Sequence, residues 1–116
     1  MSIKVAVRAR PFNSREIDLK TSLCVKMKDN TTILIDDHGK TRDFTYDYCF
    51  WSVDGYEENE EGLYTATYPR YHDQDYVYNK VGKEILDNAI NGYHSCLFAY
   101  GQTSAGKSYS MLGNIL

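Results

Sequence analysis

The sequence predicts an α/β fold, a sheet flanked by helices, with a small antiparallel β lobe ahead of it. Three observations carry that reading. An apolar stretch, residues 96–100 (CLFAY), runs into the Gly-rich segment 101–108 (GQTSAGKS), which opens a helix near Lys107. Before it, Val77, Val81, Ile85, Ala89 and Ile90, with Leu86 beside them, mark one helical face. The first half instead alternates apolar and polar residues, the period of half-buried strands. Helix, short turn, apolar strand, loop and helix make one arm of a doubly wound sheet.

Taken in order, residues 3–10 (IKVAVRAR) place apolar side chains at odd positions, a strand with one buried face, and Pro11 ends it. This start is a strand pattern and not a signal peptide. Residues 13–20 read as a charged connector. Residues 23–27 and 32–35 read as short strands around a turn at 28–30, and a second turn follows at 36–40, where Gly39 can take positive φ. Residues 43–50 (DFTYDYCF) alternate again and are expected to form one more strand. The chain then divides into a first strand and β lobe (1–51), an acidic, Tyr-rich surface loop (52–72), and a helix, core strand, phosphate loop and start of a further helix (73–116). In the loop, Glu57, Glu58, Glu60 and Glu61 read as a solvated face. Asp73 or Asp75 can cap the long helix and Asn91-Gly92 can stop it, giving a helix over 77–91 and a buried strand over 96–100.

The segment 101–108 fits G-x-x-x-x-G-K-[ST], a phosphate-binding loop. Gly101 and Gly106 let the backbone curl around an anion, so that its N–H groups point inward. The intervening Gln102, Thr103, Ser104 and Ala105 are polar or small, as such a loop requires. Lys107 brings positive charge to the outer phosphates, and the Ser108 hydroxyl is placed to ligate Mg²⁺. The helix that follows aims its positive dipole end at the same anion.

Composition narrows the partners. At 116 residues the chain holds one small domain, and 42% hydrophobic with 25% charged residues is ordinary for a soluble protein. A net charge of −3 gives no footing for nucleic acid. No apolar run approaches the ~18 residues of a membrane-spanning helix. The three cysteines, Cys24, Cys49 and Cys96, fit neither a disulfide framework nor a zinc site, which suits a reducing cytosol. His38, His72 and His94 lack ligand spacing. Many of the 11 tyrosines fall between Tyr46 and Tyr78, which reads as packing by amphipathic rings.

Several passages together resemble the kinesin motor domain. RARP at residues 8–11 looks like the family's RxRP adenine-contacting motif, and FTYDYCFWS at 44–52 resembles its FxFDxVF strand, in a form most similar to the kinesin-three class. Residues 77–103, ending in FAYGQT, match the helix and strand that lead into the phosphate loop, and GKSYSMLG at 106–113 completes it. The resemblance covers nearly the whole chain apart from the acidic loop, which is longer than expected for the family. It implies that Arg8, Arg10 and Pro11 form one wall of an adenine pocket and that Tyr109 lies against the base from the other side. It also implies ATP or ADP with Mg²⁺ as ligands, and microtubules (tubulin) as the partner of a cytoplasmic, cytoskeletal motor, through regions that lie later in the family. The family's further nucleotide sensors, of form NxxSSRSH and DLAGSE, do not occur in these residues, so the chain resembles the N-terminal third of a motor domain. As an isolated chain it is expected not to hydrolyse ATP or walk.

Two other readings compete. In small GTPases and nucleotide kinases the first strand usually runs straight into the phosphate loop, whereas about a hundred residues precede it here. The second is non-enzymatic, a truncated motor-like shell without turnover.

Overall fold

The computed structural model describes residues 3–113. They fall into two compact units, Met1–Asp54 and Gly55–Leu116. Along the chain run β1 (Ala6–Ala9), α1 (Ser14–Asp18), β2 (Val25–Lys28), β3 (Thr31–Ile35), β4 (Thr41–Thr45), β5 (Tyr48–Trp51), β6 (Tyr56–Glu58), β7 (Tyr64–Ala66), α2 (Gln74–Val77), a π-helical turn (Tyr78–Gly82), α3 (Lys83–Ile90) and α4 (Lys107–Leu112).

In the first unit β2, β3 and β4 form the expected antiparallel lobe, with Leu34 opposite both Val25 and Arg42. β1 pairs parallel with β5, Ala6 opposite Tyr48 and Ala9 opposite Trp51. The single strand expected over 43–50 is therefore two, for a physical reason. The Tyr46 N–H donates to the Asn30 carbonyl in the lobe, whereas the next N–H, of Asp47, donates to the Val5 carbonyl. The chain changes partners between consecutive residues, and the Asp47 carboxylate secures the change by accepting from the Val5 N–H at 2.7 Å. β1 is also shorter than its alternating pattern, since Ile3 lies outside it, 87% exposed. Phe50, 3% exposed, centres a small core with Cys49, and the buried Thr32 hydroxyl lies 3.2 Å from the Cys49 sulfur.

The connector expected over 13–20 holds α1. Asn13 Oδ1 accepts from the Glu16 N–H while Glu16 Oε1 accepts from the Asn13 N–H, a reciprocal cap that satisfies two donors at the helix start.

The second unit departs further from expectation. The acidic stretch 52–72 is not an irregular loop throughout, because β6 and β7 pair antiparallel within it, Tyr56 opposite Ala66 and Glu58 opposite Tyr64. Its turn is built by Asn59, whose Oδ1 accepts from the N–H groups of Glu61 and Leu63, and by Gly62 at φ 79°. The long helix starts at Gln74, ahead of the expected Val77 and on one of the two expected caps: the Asp73 side chain accepts from the Tyr76 N–H at 2.8 Å. It ends at Asn91, and Gly92 follows at φ 85°. Its middle widens at Tyr78–Gly82, where the Lys83 N–H reaches back five residues to the Tyr78 carbonyl. A Cβ on Gly82 would stand 2.8 Å from the Tyr78 ring, so glycine is what lets that ring lie along the wide turn. Val77, Val81 and Ile85 are half-buried, but Ala89 and Ile90 are exposed.

Residues 96–100 are the largest correction. They form no strand among the described residues, and Phe98 is 85% exposed with Tyr100 fully so. An apolar run of this kind suits the interior of a parallel sheet, where neighbours pair its backbone on both sides and helices cover both faces. Here no described strand pairs with it.

Candidate nucleotide site

The phosphate-loop residues come together within the second unit. Gly106 caps α4 in the left-handed region, φ 98°, and Ser104 takes φ 69°, so the chain reverses twice between Thr103 and Lys107. Left-handed backbone costs an ordinary residue roughly 1–2 kcal/mol and glycine almost nothing, which explains Gly106. The Ala105 N–H donates to the Gln102 carbonyl, closing the turn. A Cβ on Gly101 would meet the Ala105 Cβ at 2.9 Å, so the first glycine permits a close pass that no other residue does. No side-chain hydrogen bond caps the α4 start.

Lys107 folds over this loop. Its Nζ donates to the Gly101 carbonyl at 2.6 Å, spanning the loop from its next-to-last residue to its first. The ammonium is thus already held at the cradle. Ser108, one residue on, is exposed. Tyr109 is half-buried, and its ring meets the Tyr64 ring edge-on at 6.2 Å. Its carbonyl accepts from Gln74 Nε2 at 3.2 Å, and the same amide reaches the Ser110 carbonyl at 3.0 Å. Gln74 thereby satisfies carbonyls of α4 from the first turn of α2. Nothing local announces that contact, because 35 residues separate the partners.

The other expected site residues lie in the first unit. Arg8 sits on β1, half-buried, and its Nε donates to the buried Ser52 hydroxyl at 3.0 Å. Arg10 makes a two-pronged pair with Glu16, at 2.6 and 3.2 Å, and donates to the Pro11 carbonyl at 2.8 Å. Its guanidinium, helped by the Asn13 N–H, holds the Glu16 carboxyl down at about 2, and Glu16 in turn raises Arg10. Arg10 thus ties the strand end to α1. The sequence reading missed Glu16, although an acidic residue three positions after Asn13 is a capping signal.

Comparison with known proteins gives a consistent set of likenesses. The kinesin motor domain family matches residues 8–115. Klp98A of Drosophila melanogaster is 42% identical over 121 residues, taking in 97% of this chain and 9% of that protein. Human KIF13B is 44% identical over 120 residues, 96% of this chain and 6% of the relative. Human KIF1B is 43% identical over 115 residues, again 97% and 6%. Among solved structures, KIF14 with ADP in complex with a microtubule matches at TM-score 0.81 and 38% identity, over 97% of this chain and 28% of that one. The KIF14 dimer in its two-heads-bound state, with AMP-PNP and a microtubule, matches at 0.82 and 37%, over 99% and 29%. The chain spans less than a tenth of the length of these curated relatives.

Proposed function

This chain belongs to the kinesin motor-domain family, and from that premise we propose that it is the ATP-binding segment of a microtubule motor, the N-terminal portion of its motor domain. ATP hydrolysis and movement along microtubules belong to the complete motor, and place it in the cytoplasm, on the microtubule cytoskeleton. The observation that carries the reading is the loop itself: left-handed Gly106, close-passing Gly101, and Lys107 Nζ held at 2.6 Å over the turn they make. These features fit an array of phosphate oxygens. The solved KIF14 structures that match this chain carry ADP or AMP-PNP and a microtubule.

In this reading backbone N–H groups of the loop donate to the phosphate oxygens, and Lys107 exchanges part of its bond to Gly101 for an outer phosphate oxygen. A lysine already placed loses little side-chain freedom on binding, so its charge acts without reorganisation. Ser108 and the nucleotide's own phosphates would hold Mg²⁺, a hard cation that prefers oxygen and neutralises charge developing at the phosphates. Tyr109 contacts the adenine in this reading, and the family motif implies an adenine-contacting role for Arg8, Arg10 and Pro11 in the complete motor. An aromatic ring and a guanidinium plane both stack on a purine face.

The test is nucleotide binding and microtubule-stimulated phosphate release by the motor that carries this chain. Lys107→Ala removes a charge-assisted bond, so ATP affinity is expected to fall by about tenfold or more. Ser108→Ala is expected to shift the Mg²⁺ requirement more than ATP affinity. Unchanged ATP affinity in Lys107→Ala would sink the reading.

A further inference from the structure

The β6–β7 hairpin is the part of the chain that the nucleotide site leaves unexplained, and it is built too firmly for a passive loop. Asn59 holds one end, with 2.9 Å bonds from Glu61 and Leu63 and a 2.8 Å bond from its own N–H to the Leu63 carbonyl. At the other end the Gly55 carbonyl accepts from both Thr67 and Tyr68. Gly55 stands at φ 88°, and a Cβ there would lie 3.3 Å from the Tyr68 Cβ.

What this frame carries is a run of tyrosine rings. Tyr71 is buried, 7% exposed, and packs on Tyr56 at 5.1 Å. Tyr56 meets Tyr64 edge-on at 5.1 Å, and Tyr64 meets Tyr109 edge-on at 6.2 Å. All three spacings fall in the range of favourable aromatic pairs. The run therefore starts at a buried anchor and ends on the residue directly after the phosphate loop. Tyr109 is held twice, its carbonyl by Gln74 and its ring by Tyr64.

We propose that Tyr64 is a positioning residue for Tyr109, and that through it the hairpin sets how tightly the site grips the purine of its nucleotide. The inference rests on the reading of Tyr109 as a base contact. A ring free to rotate about χ1 meets a purine face only part of the time. A ring braced by a neighbour's edge is already in place, and stacking then costs less ordering. The effect belongs to the base end of the ligand alone. The proposal gives Tyr64 no part in holding the phosphates, so their binding is expected to be independent of it.

The experiment compares two probes on the complete motor carrying this chain: ATP, and inorganic tripolyphosphate, which has phosphates but no base. The variants are Tyr64→Ala, Tyr64→Phe, Tyr109→Ala and the pair Tyr64→Ala/Tyr109→Ala. An aromatic pair of this kind corresponds to about a three- to tenfold change. Tyr64→Ala is expected to weaken ATP by that factor, raise KM for ATP with kcat little moved, and leave tripolyphosphate affinity unchanged. Tyr64→Phe keeps the ring and is expected to keep ATP affinity. The pair is expected to bind ATP no more weakly than Tyr109→Ala alone, because once the ring is gone there is nothing to brace. Equal loss for both probes in Tyr64→Ala would show a merely structural role and overturn the proposal, as would full additivity in the pair. If Tyr109→Ala itself weakened both probes equally, the base-contact reading would fail, and the proposal with it. That result is distinguished because it appears in the Tyr109 variant whatever Tyr64 does.

Discussion

The Arg10–Glu16 pair shows how one contact can serve two ends. Glu16 caps α1 through the Asn13 N–H and binds the Arg10 guanidinium with the same carboxylate. With its carboxyl at about 2 in the folded chain against an ordinary 4.5, Glu16 favours the folded state when ionised. That contribution is complete above 4.5 and is lost as pH falls towards 2. Acid unfolding followed by circular dichroism is expected to show a loss of stability across that window, and Glu16→Gln is expected to flatten it. The pair is accessible to solvent, so added salt should shrink the difference. An identical acid limb in the wild type and Glu16→Gln would refute this assignment. At this scale much could be read from the chain alone: Gly101, Gly106, Lys107 and Ser108 are recognisable because a phosphate loop is local and its residue types are forced by backbone geometry. Gln74, Tyr64 and Glu16 were not found, since two of them act on partners distant in sequence and the third was hidden in a run of charges.

Elements were legible where a cap or turn announces them and misread where pairing decides. Asp73 and Gly92 mark the ends of the long helix in the sequence and in the structure alike. By contrast, nothing in the alternation of residues 43–50 shows that Tyr46 belongs to the lobe and Asp47 to β1. The hairpin at 56–66 was missed because its strands are three residues each, too short for a period to emerge. Its signal was the turn: Asn59 with Gly62 three positions later. Asn59→Ala removes two side-chain bonds that close the turn, each contributing about 1 kcal/mol. Hydrogen exchange is expected to accelerate at the Glu61 and Leu63 amides while the Asp73-capped helix start keeps its protection. Unaltered exchange in the turn would mean that the paired strands hold the hairpin without Asn59.

At the scale of the 116-residue chain, the exposed apolar run at 96–100 is expected to set its behaviour in solution. Leu97, Phe98 and Tyr100 present apolar surface beside a backbone that no described strand pairs. Such a segment invites pairing with another copy. Light scattering by the 116-residue chain is expected to show concentration-dependent association, and Phe98→Asp is expected to reduce it. A monomer at all concentrations would contradict this. The fold class was legible because it rests on periodicity and motif, which residues carry themselves. The state of residues 96–100 was not, because a buried parallel strand is a property of its neighbours.

The wide turn at Tyr78–Gly82 has a consequence for length variation. An α-helix that gains a residue rotates everything beyond the insertion by about 100°, which would turn Ile85 away from the face it shares with Val77. A π turn absorbs the extra residue within a single loop of backbone, so both flanks keep their phase. The helix therefore contains a position at which the chain can shorten by one without being re-registered. Deleting the exposed Asn79 is expected to leave a regular helix with the Asp73 cap and Ile85 in their present relation, whereas deleting Asp87 would rotate the end of α3. Helical content and melting temperature, compared between the two deletions, decide the matter: equal damage from both would show that the wide turn is no such allowance.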